Sequence, residues 1–248
     1  MMNIGIQVSS LKSVLTTPGE VTSAFERMAA LGCRYVQLQW IDPSVPIDHI
    51  AALMDRFSMV SLGTQDYYGY VLENLEYYVN LNRATGGVWV TVSRIPEHCK
   101  SREGLDVFAG ELTALRDRLA PLGQRVCFHP VSADYQAVPG MDPVAYLTEK
   151  LPWLELCLDL FHLDRNCGDM PSYIRALSGR IPMVHFKDHR DDVLVPAGQG
   201  QVRWEGVIPA CLDAGVGCGL AEQESWEGDP YVCLEQAMDW IRRELSAR

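Results

Sequence analysis

Short apolar runs of four or five residues recur along the chain, and each is followed by a segment with helical spacing of its apolar positions. The runs at 4–8 (IGIQV), 35–39 (YVQLQ), 59–63, 88–92 (VWVTV), 125–128 (RVCF), 155–158, 181–184 and 218–221 are the predicted strands. Between them, Thr17-Pro18-Gly19-Glu20 has the residues of a capped helix start, and Val21, Phe25, Met28 and Ala29 continue it until Gly32. Further helices are predicted at 47–57, 71–83, 143–149, 171–177, 204–214 and 231–245. Another carries Leu105, Phe108, Leu112, Leu115 and Leu119 on one face. Eight strand–helix alternations in 248 residues, with no compositional break, predict one (β/α)8 TIM barrel spanning residues 1–248. A doubly wound open sheet is the competing architecture, but no G-x-G-x-x-G follows the first strand.

Composition narrows the function classes. The 21 Lys and Arg against 32 Asp and Glu give a formal charge of −11, a field that repels phosphate backbones and anionic membrane surfaces. The expectation is therefore a small-molecule partner, with neither nucleic acid nor membrane. The eight cysteines form no C-x-x-C pair, and Cys127, Cys157 and Cys218 lie inside apolar runs as small hydrophobes. No basic-then-apolar segment opens the sequence, and no apolar run reaches the roughly 18–20 residues of a membrane span. A reduced, cytoplasmic setting is expected.

Candidate chemistry gathers where apolar runs end. His129 ends the fifth run; Asp159 and His162 follow the sixth; His185, Lys187 and Asp188 follow the seventh; Glu222 follows the eighth. In a parallel barrel these four ends are neighbours on the face where active sites are built. Each residue also has an ordinary structural role open to it: a lone Asp after a strand caps a helix, and a lone His is more often a satisfied polar group. Their coincidence on adjacent strands favours a divalent metal site. Carboxylate and imidazole ligands suit Mn²⁺, Co²⁺, Zn²⁺ or Mg²⁺, with Mn²⁺ the first expectation.

Four pieces in order give the sequence a resemblance: L-x-L-D-x-x-H at 156–162, G-R-I-x-x-V-H-x-K-D at 179–188, P-x-G-x-G-x-V-x-W at 196–204 and G-x-x-x-E-Q at 217–223. With Asp229-Pro230 opening the final helix, these resemble the xylose isomerase-like TIM barrel superfamily, most clearly from about residue 125 onward. The resemblance implies that Asp159, His185 and Glu222 ligate the metal, that His162 and Lys187 face the substrate, and that Asp188 anchors its strand end. Many epimerases of this group carry Glu at the fifth strand end, where this chain has His129, in F-H-P. His129 is then the expected fourth ligand, with Asp134 as an alternative carboxylate. In such epimerases one Glu removes a proton beside a carbonyl and the other returns one, with the metal stabilising the ene-diolate. Here Glu222 and His129 would take those roles.

The resemblance thus implies a metal-dependent sugar or sugar phosphate isomerase/epimerase. An inosose-type dehydratase and a non-catalytic sugar-binding barrel remain alternatives, and family members often form homodimers. Arg190 and Arg203 bracket the G-Q-G turn and are candidates to meet a phosphate or hydroxyl. Gln37, Gln39, Gln65 and Asp66, with Trp40, Tyr67, Tyr68 and Trp226, are candidates to line a sugar pocket. His49, His98 and His189 are expected to be solvated.

Overall fold

A computed structural model describes residues 2–247. Eight parallel strands close into a barrel: β1 (Asn3–Gln7), β2 (Tyr35–Leu38), β3 (Val60–Tyr67), β4 (Trp89–Ser93), β5 (Arg125–His129), β6 (Glu155–Asp159), β7 (Met183–Phe186) and β8 (Cys218–Ala221). Closure is made where β1 pairs with both β2 and β8. Helices cover the outside because each has one apolar face. In Arg102–Leu119, for example, Leu105, Phe108, Leu112, Leu115 and Leu119 are all buried.

Helix starts follow the sequence closely. Thr17 accepts from the Glu20 amide and Glu20 returns a bond to the Thr17 amide, the reciprocal box that its sequence predicts. Asp142, Asp169 and Asp229 each cap a helix that has Pro at its first or second position. Inside the barrel, Cys127, Cys157, Met183, Cys218 and Leu220 pack as a separate apolar cluster. All eight cysteines are free. Towards the C-terminal strand ends this interior becomes polar, with Gln7, Gln37 and Thr91 fully buried.

Four expectations shift. The seventh strand begins at Met183 rather than Ile181, so His185 lies within it and not after it. The third strand runs on through Tyr67, well past Gly63. The single helix expected over 71–83 is two, Tyr68–Glu73 and Leu75–Thr85, divided at Asn74, whose ψ of 29° falls outside the helical region. The helix expected from Trp204 starts at Val207, because Gly206 ahead of it takes φ 72°, a left-handed conformation. Unforeseen was an antiparallel hairpin, Asp188–Arg190 with Val193–Val195, on the loop after β7.

That loop is organised by one buried carboxylate. Asp188 Oδ2 accepts from the amides of Gly198 and Gly200 and from Trp204 Nε1, while Oδ1 accepts from the amides of His189 and Val202. The glycines are required by space: a Cβ on Gly200 would collide with that carboxylate, and one on Gly198 with the Trp240 indole. H-x-K-D and P-x-G-x-G-x-V-x-W are thus two halves of one structure. Asp188→Ala leaves these donors without an acceptor and is expected to lower unfolding stability by about 3–5 kcal/mol, read from urea denaturation.

Candidate active site

Asp159, His185 and Glu222 arrive together at the barrel's C-terminal end. Asp159 and His185 are register partners across β6 and β7, and the Glu222 amide bonds Phe186 O just beyond β8. One ligand atom from each of the three lies within 4.8 Å of the others. All three residues are buried, Asp159 and His185 completely.

In each residue one side of the functional group is held by protein and the other is free. Asp159 Oδ1 caps the short helix Leu160–Asp164 through the amides of Phe161 and His162, leaving Oδ2 without a partner. Glu222 Oε1 accepts from Ser9 Oγ, leaving Oε2 free. His185 Nε2 faces Gln37 Oε1 at 2.7 Å, leaving Nδ1 free. His185 Nδ1 and Glu222 Oε2 are only 3.2 Å apart yet form no aligned hydrogen bond. Unsatisfied buried atoms of this kind need an explanation. A divalent cation fits them: two carboxylate oxygens and an imidazole nitrogen, with further coordination positions open for other ligands.

Among the described residues, Lys187 supplies the one Lys or Arg side chain directly against this group. Its Nζ lies 3.4 Å from Asp159 Oδ2, 3.6 Å from Glu222 Oε2 and 2.5 Å from Glu224 Oε2. Burial works against its charge, but the three carboxylates overcome it and hold the ammonium protonated well above its ordinary range. Burial likewise opposes ionisation of Glu222, and Lys187 and His185 reverse the effect, keeping its carboxyl well below the usual range. Glu224 is pushed the other way, by burial and by its neighbour Glu222.

The remaining sequence candidates divide. His129 does not join the Asp159–His185–Glu222 group, in contrast to the four-ligand expectation. Its ring packs 4.9 Å from that of His185, and its ligand atoms group with those of Cys157 and His185 instead. The register explains this, since His129 ends β5 at the level of Cys157, two residues short of Asp159. Both its nitrogens are buried and unpartnered, and burial together with His185 keeps the ring neutral. Asp134 is engaged elsewhere: its oxygens accept from the Ile95 and Val131 amides, latching two loops. His162 stands at the rim, 3.7 Å from Asp159 Oδ2 and bonded to Ser132 Oγ. It lines a cavity of about 850 Å³ that runs on to Tyr67 and Arg94.

Arg190 lies on the exposed hairpin, where its guanidinium donates to Gln199 O, and it makes no ion pair with the cluster among the described residues. Arg203 is bound to Asp164 and to loop carbonyls. Tyr68 is core, edge-on to Phe108, whereas Trp40 and Tyr67 pair at the mouth. Of the histidines expected in solvent, His98 is exposed, while His49 and His189 are half-buried. Sequence reasoning overlooked Ser9, Thr91 and Glu224. Only Glu224 carries a readable signal, the two-residue alternation with Glu222 in A-E-Q-E.

A closed parallel barrel that gathers carboxylates and imidazoles at its C-terminal strand ends is the class that fold and site define. Residues 20–244 match the xylose isomerase-like TIM barrel family, and the chain belongs to it. Over 100 residues it is 30% identical to an L-ribulose-5-phosphate 3-epimerase of Salmonella paratyphi A, a match covering 38% of this chain and 35% of that protein. The chain therefore spans about a third of the length of the curated relative it matches. Among solved structures, an L-ribulose 3-epimerase superposes with TM-score 0.81 at 18% identity, over 100% of this chain and 95% of that one. The IOLI protein, solved with a bound zinc atom, gives TM-score 0.75 at 15% identity, over 99% and 97%. At such identities the structural likeness speaks to the fold.

Burial keeps His162 neutral against the pull of Asp159, so its proton affinity is lower folded than unfolded. The stability tied to it is present above the unfolded value near 6.5 and is lost as pH falls below it. In EDTA-treated protein, His162→Gln should flatten the decline in urea midpoint between pH 7 and pH 5.

Proposed function

We propose that this protein is a metal-dependent sugar isomerase/epimerase that works by proton abstraction next to a carbonyl. The observation carrying this reading is the convergence of unpartnered Asp159 Oδ2, His185 Nδ1 and Glu222 Oε2 in a buried site beside His162, a residue that lines the neighbouring cavity. The names of the epimerase relatives point to 3-epimerisation of a ketose, free or phosphorylated, as the reaction to test first. The oxygen-rich donor set favours Mn²⁺, ahead of Co²⁺, Mg²⁺ and Zn²⁺. The eight free cysteines suit a cytoplasmic setting.

When bound, the cation supplies Lewis-acid polarisation of a substrate oxygen. Glu222, held ionised and fixed through Ser9, takes the proton from the carbon beside the carbonyl. His129 is the proton carrier for the return step. A neutral imidazole with both nitrogens free can release a proton from one while taking one up at the other. His162 and the Lys187 ammonium orient substrate oxygens at the rim.

Three variants test this. Asp159→Ala should lose stoichiometric Mn²⁺ and the Mn²⁺-dependent rise in Tm; a wild-type protein that binds no divalent ion defeats the reading. Glu222→Gln should cut solvent-deuterium exchange into L-ribulose or its 5-phosphate by about 10²–10⁴-fold. His129→Ala should retain exchange of the abstracted proton yet form epimer at least about 10²-fold more slowly. Loss of water from an inosose, without exchange into ketoses, would mark a dehydratase instead.

A further inference from the structure

Gln37 comes from the end of β2, where a sugar contact is expected, but its side chain is fully buried inside the barrel. Its Nε2 donates to Thr91 Oγ1 at 3.0 Å, and its Oε1 accepts from Gln7 Nε2 at 3.0 Å. The same oxygen faces His185 Nε2 at 2.7 Å, and His185 has no exposure at all. These bonds engage both ends of the amide.

We propose that Gln37 is a positioning residue that holds His185 as its Nε2–H tautomer and so presents Nδ1 as a bare donor to the metal site. A neutral imidazole carries one proton, and the partner of one nitrogen decides what the other can do. Two neighbours compete with Gln37. Cys157 Sγ lies 3.2 Å from the same nitrogen and can donate a weak S–H bond to it. Glu222 Oε2 lies 3.2 Å from Nδ1 and would favour a proton there, but that pair is not aligned for a hydrogen bond. The shorter bond to the amide oxygen wins, and Gln7 Nε2 and Thr91 Oγ1 are bonded to the amide in the orientation that keeps its oxygen towards the ring. With an apolar residue at position 37, the Cys157 thiol and Glu222 together draw the proton to Nδ1, where it blocks coordination.

The consequence for the metal rests on the proposed function, but the tautomer does not, so the two are measured separately. Nitrogen-15 spectra of the histidines in EDTA-treated wild type should show His185 as Nε2–H, and Gln37→Leu should lose that form. Calorimetric titration with Mn²⁺ should show Gln37→Leu binding about 10–100-fold more weakly than wild type. Gln37→Glu, which keeps an acceptor, should retain both the Nε2–H form and most of the affinity, and it serves as the test if the leucine variant does not fold. An Nδ1–H His185 in wild type, or undiminished Mn²⁺ affinity in Gln37→Leu, overturns the assignment. A wild type with Nε2–H but no Mn²⁺ binding supports the tautomer assignment and defeats the metal reading.

Discussion

Buried negative charge is the constraint around which the functional end of this barrel is arranged. Asp159 and Glu222 bring carboxylates into a site with almost no solvent, where an uncompensated ion costs several kcal/mol. Lys187 offsets part of that cost and is itself kept charged by the same carboxylates together with Glu224. Yet Lys187 leaves the free atoms of Asp159, Glu222 and His185 without hydrogen-bond partners.

Each site residue divides its atoms between structure and chemistry. Asp159 caps a helix with one oxygen and faces the cluster with the other. Glu222 is steadied through Ser9, from the 3-10 turn after β1, and His185 through Gln37 from β2. Residues from the first half of the chain therefore fix the orientation of Glu222 and His185 from the second half. Below the ligands, cysteine and methionine fill the barrel; beside them, Asp188 binds the loop after β7 into a rigid wall. Fixed ligands with atoms still free are what preorganised metal chemistry requires.

Much of this was legible in the chain. The eight-fold alternation predicted the barrel, and the polar residues ending runs five to eight predicted which strands carry the site. For Asp159 helix cap and site residue are not exclusive, because a carboxylate has two oxygens: one caps the helix and the other faces the cluster. His129 falls outside the Asp159–His185–Glu222 group, since its level in the barrel depends on strand stagger that no sequence spacing records. Asp134 and Arg190 were plausible by proximity along the chain, but nearby backbone groups engage both. Glu224 was overlooked although its alternation with Glu222 was visible.

The candidates at the ends of the sixth and seventh runs were readable because a parallel strand delivers its C-terminal side chains to one face whatever the rest of the fold does. By itself, the sequence determined the fold class, the family and three converging side chains, Asp159, His185 and Glu222, since local periodicity and short motifs encode these. Only the tertiary structure decided that Gln37 lies against His185, that Ser9 supports Glu222 and that His129 sits at another level. Those contacts join residues as far apart as 148 and 213 positions. They arise from barrel closure and stagger, which set side-chain height and neighbours together and leave no periodic trace in the chain.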